Sequence, residues 1–263
     1  MIKTVIFDMG GVVITLDENE AGKRFIELGM KEFAEKMDPY KQSGLNGDLE
    51  EGKLSEEEYR RQVSKKVGRE VSFEELQHCW LGYMKEVSAR KLMTIRNLKK
   101  QGYRVVLLSN TNPYVSAWTD SADFSGDGHP IGDYFDAMYR SYEVKYMKPD
   151  ENFFRYVMAQ EKALPEECLF IDDGARNCCA ASEVGLFTYW PQNGEDWCDN
   201  IRASDVEHIV VALHHSRHIA EAIASEVFFC KIILLNLSTH GTIQNQNLLL
   251  NNLSYILHGS KSA

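Results

Sequence analysis

Short apolar runs recur along the first 202 residues and alternate with stretches of helical periodicity. The runs are Thr4–Phe7, Val105–Leu108, Ala137–Tyr142, Leu169–Ile171 and Leu186–Tyr189. Short, continuous apolar runs are typical of parallel strands that helices cover on both faces. An alternation of such strands with helices predicts an α/β fold built on a Rossmann-like parallel sheet.

Polar side chains directly follow three of these runs. Asp8 comes after the first run, and Ser109 and Asn110 come after the second. Asp172 and Asp173 come after the fourth. Because the carboxyl ends of parallel strands line the ligand crevice of an open sheet, we expect these five side chains to share one site.

Three carboxylates and a lysine are the chemical groups of a site for Mg²⁺ and phosphate. Mg²⁺ prefers hard oxygen ligands, usually one or two carboxylates together with water and phosphate oxygens. Lys148, in the segment MKPD, would hold further phosphate oxygens through its ammonium group. An aspartate after a strand is also a common helix cap or turn residue. The occurrence of four such elements in one order favours the binding site.

Between the first two runs lie nearly 90 residues without a clear strand. Apolar residues from Ile26 to Met37 follow the spacing of one helix face. The pairs Ser55–Glu58 and Ser72–Glu75 each match a capping box at the start of a helix. We predict a lobe of helices inserted after the first strand. The alternative is that these helices cover the faces of the sheet.

The charge and apolar content of the chain limit its partners. The net charge is −10, from 29 basic and 39 acidic residues, whereas nucleic acids select positively charged surfaces. Asp8 comes too early for the apolar region of a signal peptide, and no apolar stretch is long enough to span a bilayer. We expect a cytoplasmic protein that binds a small phosphorylated metabolite and neither nucleic acid nor membrane.

The composition changes sharply near residue 202. Residues 1–202 hold 26 basic and 35 acidic residues, whereas residues 203–263 hold only 3 and 4. The same final stretch contains six of the eight histidines. We place a boundary near residue 202 and treat residues 203–263 as a C-terminal extension of unassigned function.

Four motifs in this order resemble those of the haloacid dehalogenase superfamily. VIFDMGGVV is similar to the first motif, VVLLSNTN to the second, MKPD to the third and FIDDGARN to the fourth. The segments EEGKLSEEEYRR and GLFTYWPQNGEDW resemble the branch of glucose-1-phosphate phosphatases and of the phosphatase lobe of epoxide hydrolases. The resemblance implies a catalytic core of residues 1–16 and 90–202 and an inserted all-helical type 1 cap of residues 17–89.

The resemblance also implies a reaction. Asp8 would be the nucleophile, which attacks phosphorus and forms an aspartyl-phosphate that water then hydrolyses. Ser109 and Asn110 would bind the phosphoryl group in transfer, and Lys148 would neutralise charge on that group and on Asp8. The implied activity is Mg²⁺-dependent hydrolysis of a small phosphomonoester, and we expect the substrate to be a sugar phosphate.

A metal site follows from the same resemblance. Mg²⁺ would be held by Asp8, by the backbone carbonyl of Gly10 and by Asp173. Asp172 would orient Lys148 or a water on the metal rather than bind the ion itself. Asn177 matches the polar position that closes the fourth motif and would have a supporting role.

One position departs from the family pattern. The phosphatases of the family usually carry a second aspartate two residues after the nucleophile, as general acid and base, whereas this chain has Gly10 there. Loss of a positioned acid or base slows a reaction by about 10²–10⁴-fold. We therefore expect either a substrate with a good leaving group or a proton donor from the cap or from the substrate itself. Asp17 lies nearby in sequence, and we expect it to cap a helix.

Two other functions are compatible with the motifs. A catalytically silent phosphate-binding protein is compatible with Gly10, although it has no chemical need for Asp8, Lys148 and Asp173 together. A haloacid dehalogenase needs no metal, which leaves the acidic pair Asp172–Asp173 with little purpose. Both alternatives are therefore disfavoured relative to the phosphatase.

Overall fold

The computed structural model describes residues 1–17, 19–30 and 43–201. Within these residues, five strands form one parallel sheet. They are β1 (Thr4–Phe7), β4 (Arg104–Ser109), β5 (Ala137–Arg140), β6 (Cys168–Ile171) and β7 (Phe187–Tyr189). Their order across the sheet is β5-β4-β1-β6-β7. The prediction of a parallel α/β sheet is confirmed.

Apolar residues of the sheet alternate between two cores on its opposite faces. In β1, Phe7 belongs to one core and Ile6 to the other. Helix α5 (Ala89–Lys100) packs in the first core, and α8 (Glu151–Glu161) and α9 (Ala175–Glu183) pack in the second. Burial of both faces explains why these strands are continuous apolar runs in the sequence.

The register of the sheet brings the residues that follow the strands together. Phe7, the last residue of β1, pairs with Leu107 of β4 and with Ile171 of β6. Asp8 is therefore level with Asp172, and its backbone N–H donates to the carbonyl of Ile171 at 2.8 Å. The carboxyl ends of the three central strands meet at one edge of the sheet.

Helices occupy most of the described chain between β1 and β4. They are α1 (Glu20–Leu28), α2 (Gly44–Glu50), α3 (Glu56–Val67) and α4 (Phe73–Trp80). Helix α1 packs against α4, and α2 packs against α3. Helix α4 also contacts α6 (Pro113–Thr119), and α2 contacts α7 (Ser141–Val144). Because α6 and α7 follow β4 and β5, the inserted helices lie over the carboxyl edge of the sheet.

The predicted helix starts in this region are confirmed. The hydroxyl of Ser72 accepts a hydrogen bond from the backbone N–H of Glu75 at 3.2 Å, and the Glu75 carboxylate accepts one from the backbone N–H of Ser72 at 2.9 Å. These two bonds complete the capping box of α4. At the start of α3, the hydroxyl of Ser55 accepts from the backbone N–H of Glu58 at 3.1 Å. The Glu58 carboxylate accepts from Arg61 and Gln62 instead, so the prediction of a full capping box at this helix is wrong.

The prediction that one helix runs from residue 26 to residue 37 is wrong. Helix α1 ends at Leu28, because Gly29 adopts the left-handed conformation with φ of 110° and breaks the hydrogen-bond ladder. Ile26 is 45% exposed, whereas Met30 is buried beyond the helix end. Residues 33 and 37 of the predicted apolar stripe lie outside the described residues.

The expectation that no strand interrupts this region is also wrong. Strand β2 (Ile14–Leu16) pairs antiparallel with β3 (Met84–Val87) in a separate two-stranded ribbon. Charged Lys85 and Glu86 occupy the middle of β3, so the segment shows no apolar run in the sequence. The ribbon joins the two ends of the helical insertion. The domain boundaries at residues 16, 89 and 202 stay predictions.

The last described residues pack into the core of the sheet. Trp197 and Ile201 are fully buried, and the indole Nε1 of Trp197 donates to the carbonyl of Val12 at 2.9 Å. Residues 203–263, the predicted extension, lie outside the described part of the chain. Over the ranges that are described, no helix has the length and apolar content needed to cross a bilayer.

Candidate active site

Three carboxylates and one ammonium group meet at the carboxyl edge of the sheet. Oxygen atoms of Asp8, Asp172 and Asp173 lie within 4.8 Å of one another. The Nζ atom of Lys148 lies 2.7 Å from Oδ1 of Asp8 and 2.6 Å from Oδ2 of Asp172. All four side chains are buried. The structure thus brings together four predicted site residues that lie up to 165 residues apart in the sequence.

Both oxygens of the Asp172 carboxylate accept hydrogen bonds from neighbouring donors. Its Oδ1 accepts from the backbone N–H of Gly174 at 2.7 Å and from Nδ2 of Asn177 at 3.0 Å. Its Oδ2 accepts from Lys148. These bonds fix the orientation of the carboxylate, so Asp172 holds Lys148 in place and Asn177 holds Asp172.

Asn110 binds the backbone on which Lys148 is carried. Its Nδ2 donates to the carbonyl of Lys148 at 2.9 Å, and its Oδ1 accepts from the backbone N–H of Lys148 at 2.9 Å. Ser109, the last residue of β4, is buried, and its hydroxyl donates to the carbonyl of Asn110 at 3.3 Å. The two residues predicted to bind a phosphoryl group therefore also build the wall that supports the lysine.

Asp173 is held where the chain turns after β1. Gly11 has φ of 73°, and a Cβ atom there would overlap Oδ2 of Asp173, so only glycine allows this approach. The indole Nε1 of Trp190 donates to the backbone carbonyl of Asp173 at 2.6 Å. No motif in the sequence singles out Trp190, because its contact with Asp173 depends on the return of the chain after β7.

The cluster carries more negative than positive charge. Burial raises the pKa of Asp8 well above its ordinary value, and the charges of Asp172 and Asp173 add to this effect, although Lys148 opposes it. Burial lowers the pKa of Lys148, but the charges of Asp172 and Asp8 outweigh it, and the net shift is upward. Three carboxylates against one ammonium group in a buried site have the charge and the oxygen donors that suit a divalent cation.

A cleft of about 660 Å³ opens above this cluster. Its floor includes Asp8, Gly10, Asn110, Lys148, Asp173 and Asn177. Apolar side chains from the insertion and its ribbon form the opposite wall, namely Leu16, Trp80, Tyr83 and Met84. The cleft has polar groups at one end and apolar surface at the other, as small-molecule sites do.

Glu50 also lines this cleft, and sequence reasoning missed it. Its side chain comes from the last residue of α2 and is 8% exposed. Burial raises the pKa of its carboxyl to about 8, and a hydrogen bond to the side chain of Asn112 opposes the shift. In the sequence, Glu50 is adjacent to Glu51 in an acidic segment. No pattern in the sequence indicates which of the two glutamates is buried and which is exposed to solvent.

Comparison with known proteins agrees with this geometry. The family model for haloacid dehalogenase-like hydrolases matches residues 2–185 of this chain. A D-ribitol-5-phosphate phosphatase from Bacteroides thetaiotaomicron is 43% identical over 197 residues, which cover 75% of this chain and 95% of that protein.

Two solved structures have the same fold. A haloacid dehalogenase-like hydrolase from Porphyromonas gingivalis is 40% identical, with a TM-score of 0.73 over 76% of this chain and 96% of that one. A family enzyme from Bacteroides thetaiotaomicron, solved with magnesium and inorganic phosphate, is 31% identical, with a TM-score of 0.68 over 77% of this chain and 100% of that one. The chain belongs to the family of haloacid dehalogenase-like hydrolases.

Proposed function

We propose that this protein is a Mg²⁺-dependent phosphatase that hydrolyses a small phosphomonoester through an aspartyl-phosphate on Asp8. The observation that carries the proposal is the buried contact of 2.7 Å between Lys148 and Asp8 at the floor of a small-molecule cleft. A carboxylate beside a fixed ammonium group can attack a phosphoryl group whose negative charge the ammonium neutralises. The phosphatase relative and the magnesium- and phosphate-bound relative support the same reaction.

The residues at the edge of the sheet suit Mg²⁺. Asp172 is occupied by Lys148, Gly174 and Asn177, so Asp8 and Asp173, with the backbone carbonyl of Gly10, would hold the ion. When bound, Mg²⁺ supplies positive charge to the oxygens of the phosphoryl group. The net negative charge of the cluster and the close approach of Gly11 to Asp173 both fit this role.

The side chains of the chain itself would carry out the transfer in two steps. An oxygen of Asp8 bonds to phosphorus while the bond from phosphorus to the alcohol oxygen breaks, and the alcohol leaves with a proton. Water then attacks the aspartyl-phosphate, which releases phosphate and restores the Asp8 carboxylate. Lys148 neutralises charge in both steps, and the Ser109 hydroxyl reaches a phosphoryl oxygen by rotating away from the carbonyl of Asn110. Asn110 positions Lys148.

The substrate we propose is a sugar or polyol phosphate. The polar end of the cleft includes Lys148, which suits the phosphate group of a small metabolite. Residues 17–89, as a cap, would supply the wall that contacts the part of the substrate beyond the phosphate. The 43% identical relative acts on ribitol 5-phosphate, a polyol ester. We propose a cytoplasmic location for this function, with neither nucleic acid nor a membrane as partner.

A phosphate-release screen over sugar and polyol phosphates tests this function. With Mg²⁺ present, we expect turnover of at least one ester, and chelation of the metal should abolish that turnover. Turnover that is equal with and without Mg²⁺ would contradict the metal site. Phosphate binding without any hydrolysis would establish the silent binding protein instead, and release of halide from 2-haloacids would establish the dehalogenase.

A further inference from the structure

The reaction needs a proton donor that the loop after β1 does not supply. The alcohol leaves as an unstable alkoxide unless an acid protonates it, and Gly10 has no side chain to do so. Asp17 is not suited to this task. Its Oδ1 accepts from the backbone N–H groups of Asn19 and Glu20 at 2.9 and 3.1 Å, and these bonds lower the pKa of its carboxyl. Asp17 therefore stays ionised at the start of α1.

We propose that Glu50, on the inserted helix α2, is the general acid that protonates the leaving oxygen and the general base that later activates water. This assignment rests on the proposed phosphatase function. It makes α2 part of the catalytic machinery rather than only a wall of the cleft.

The position of Glu50 supports this role. The side chain lines the same cleft as Asp8 and Lys148, but it enters from the inserted helices rather than from the floor. The leaving oxygen points away from Asp8 in an in-line attack, towards the side of the cleft opposite the nucleophile. A carboxyl group on the inserted helices is on the side where the proton is required.

Asn112 orients the carboxyl group of Glu50. The Oδ1 atom of Asn112 accepts from the backbone N–H groups of Tyr114 and Val115 at 3.1 and 3.2 Å. Because Oδ1 is used in this way, the Nδ2 atom is the donor that faces Glu50. The carboxyl group is thus held by a residue that itself caps α6 and lines the cleft.

The protonation state of Glu50 agrees with the geometry. Burial raises the pKa of the carboxyl to about 8, so the group is largely protonated at neutral pH. A carboxylic acid with a pKa near the working pH is suited to give up a proton and to take it back.

The proton balance closes over the two steps. In the first step, the bond from phosphorus to the leaving oxygen breaks, that oxygen takes the proton of Glu50, and Glu50 becomes a carboxylate. In the second step, water bonds to phosphorus, its proton passes to Glu50, and the bond between phosphorus and Asp8 breaks. The enzyme returns to its starting state and releases one alcohol and one phosphate.

The test compares Glu50→Gln with wild type on aryl phosphates of increasing leaving-group pKa, from 4-nitrophenyl to phenyl phosphate, with Mg²⁺. The quantity measured is kcat/KM, which covers the steps up to release of the phenol. We expect a loss of about 10²-fold or more on phenyl phosphate and a much smaller loss on 4-nitrophenyl phosphate, because a good leaving group needs little protonation. Glu51→Gln, the neighbouring residue at the helix end, is the matched control and should keep the wild-type slope.

A second readout follows the water step. Glu50→Gln should release a rapid burst of 4-nitrophenolate approaching one equivalent per site, since the aspartyl-phosphate then persists without its base. An absent burst would overturn the role as a base.

An equal loss on all esters would show a structural role and overturn the role as an acid. A selective loss on phenyl phosphate in Tyr83→Phe, which removes a phenol from the same cleft, with an unchanged slope in Glu50→Gln, would also overturn the role of Glu50 as an acid. If wild type itself hydrolyses none of the esters, the proposed phosphatase function fails, and that result is separate from any effect of Glu50.

Discussion

Lys148 shows how a single side chain can serve both the fold and the chemistry. Its Nζ atom lies between the carboxylates of Asp8 and Asp172, and it is almost fully buried. A buried ion pair contributes little net stability, but loss of one partner leaves an uncompensated charge that costs about 3–5 kcal/mol. The nucleophile can be replaced more safely than the lysine, because Lys148 keeps Asp172 as a partner.

Asp8→Asn tests the nucleophile on this basis. An amide cannot form the acyl phosphate, so we expect phosphate release with Mg²⁺ to fall by roughly 10³-fold or more. The fold should survive, because the Lys148–Asp172 contact of 2.6 Å is retained. Phosphate release and circular dichroism of the purified variant are the measurements. Substantial residual turnover in a folded variant would remove Asp8 from its role.

The buried carboxyl of Glu50 should make stability depend on pH. Burial raises its pKa from 4.5 to about 8, so its contribution to stability is complete below pH 4.5 and is lost as the pH rises through 8. Glu50→Gln removes this loss. Relative to wild type, the variant should therefore gain about 4 kcal/mol in unfolding free energy between about pH 5 and pH 9, measured by urea denaturation. If the difference in unfolding free energy between the variant and wild type is the same at both pH values, Glu50 is not buried as a neutral acid.

Which site residues the sequence could predict depends on where they stand in the chain. Asp8, Asp172 and Asp173 directly follow buried strands, so the sheet alone brings them together, and this part of the prediction agrees with the structure. Lys148 was identified from the motif MKPD. Glu50 had no such signal, because its position arises only when α2 folds back over the edge of the sheet.

At the scale of elements, helix starts were more predictable than helix ends. The caps of α3 and α4 depend on side chain–backbone hydrogen bonds between residues three positions apart, and such local bonds form largely independently of the rest of the fold. The end of α1 at Leu28 depends on Gly29, which interrupts an apolar pattern that otherwise continues. The ribbon of β2 and β3 depends on pairing between segments about 70 residues apart, which no local pattern records.

Ser72→Ala tests the capping box of α4. Loss of the hydroxyl leaves the backbone N–H of Glu75 without its acceptor, and we expect a loss of about 1 kcal/mol in unfolding free energy. Ser55→Ala at the start of α3 is a matched comparison and should have a similar effect. Because Ser72 does not line the cleft, kcat/KM should stay within about two-fold of wild type. A large loss of activity would show that α4 transmits strain to the cleft.

For the whole molecule, the catalytic unit should end just after the last described residues. The phosphatase relative is matched over 95% of its length by 75% of this chain. A chain truncated after residue 202 keeps the sheet, the inserted helices and the buried Trp197, so we expect it to be at least as soluble as the full chain and to keep its kcat. If the truncated chain unfolds or is inactive, the predicted boundary near residue 202 is wrong.

A shorter chain provides the contrast. Truncation after residue 194 removes Trp197, which is fully buried and donates to the carbonyl of Val12. Loss of a large buried aromatic side chain costs about 3–5 kcal/mol. This form should therefore unfold at a lower temperature or fail to fold, as differential scanning calorimetry would show.

The hydrogen bond from Trp190 to Asp173 gives the protein a spectroscopic reporter of its own. The indole Nε1 lies 2.6 Å from the backbone carbonyl of a residue proposed to hold the cation. Indole emission depends on the polarity and charge around the ring, so Mg²⁺ should shift or quench the fluorescence of Trp190 in a saturable way. Trp190→Phe should remove most of that signal, because Trp80 is the one other tryptophan of the four that lines the cleft. A fluorescence titration would thus measure cation affinity before any substrate is known.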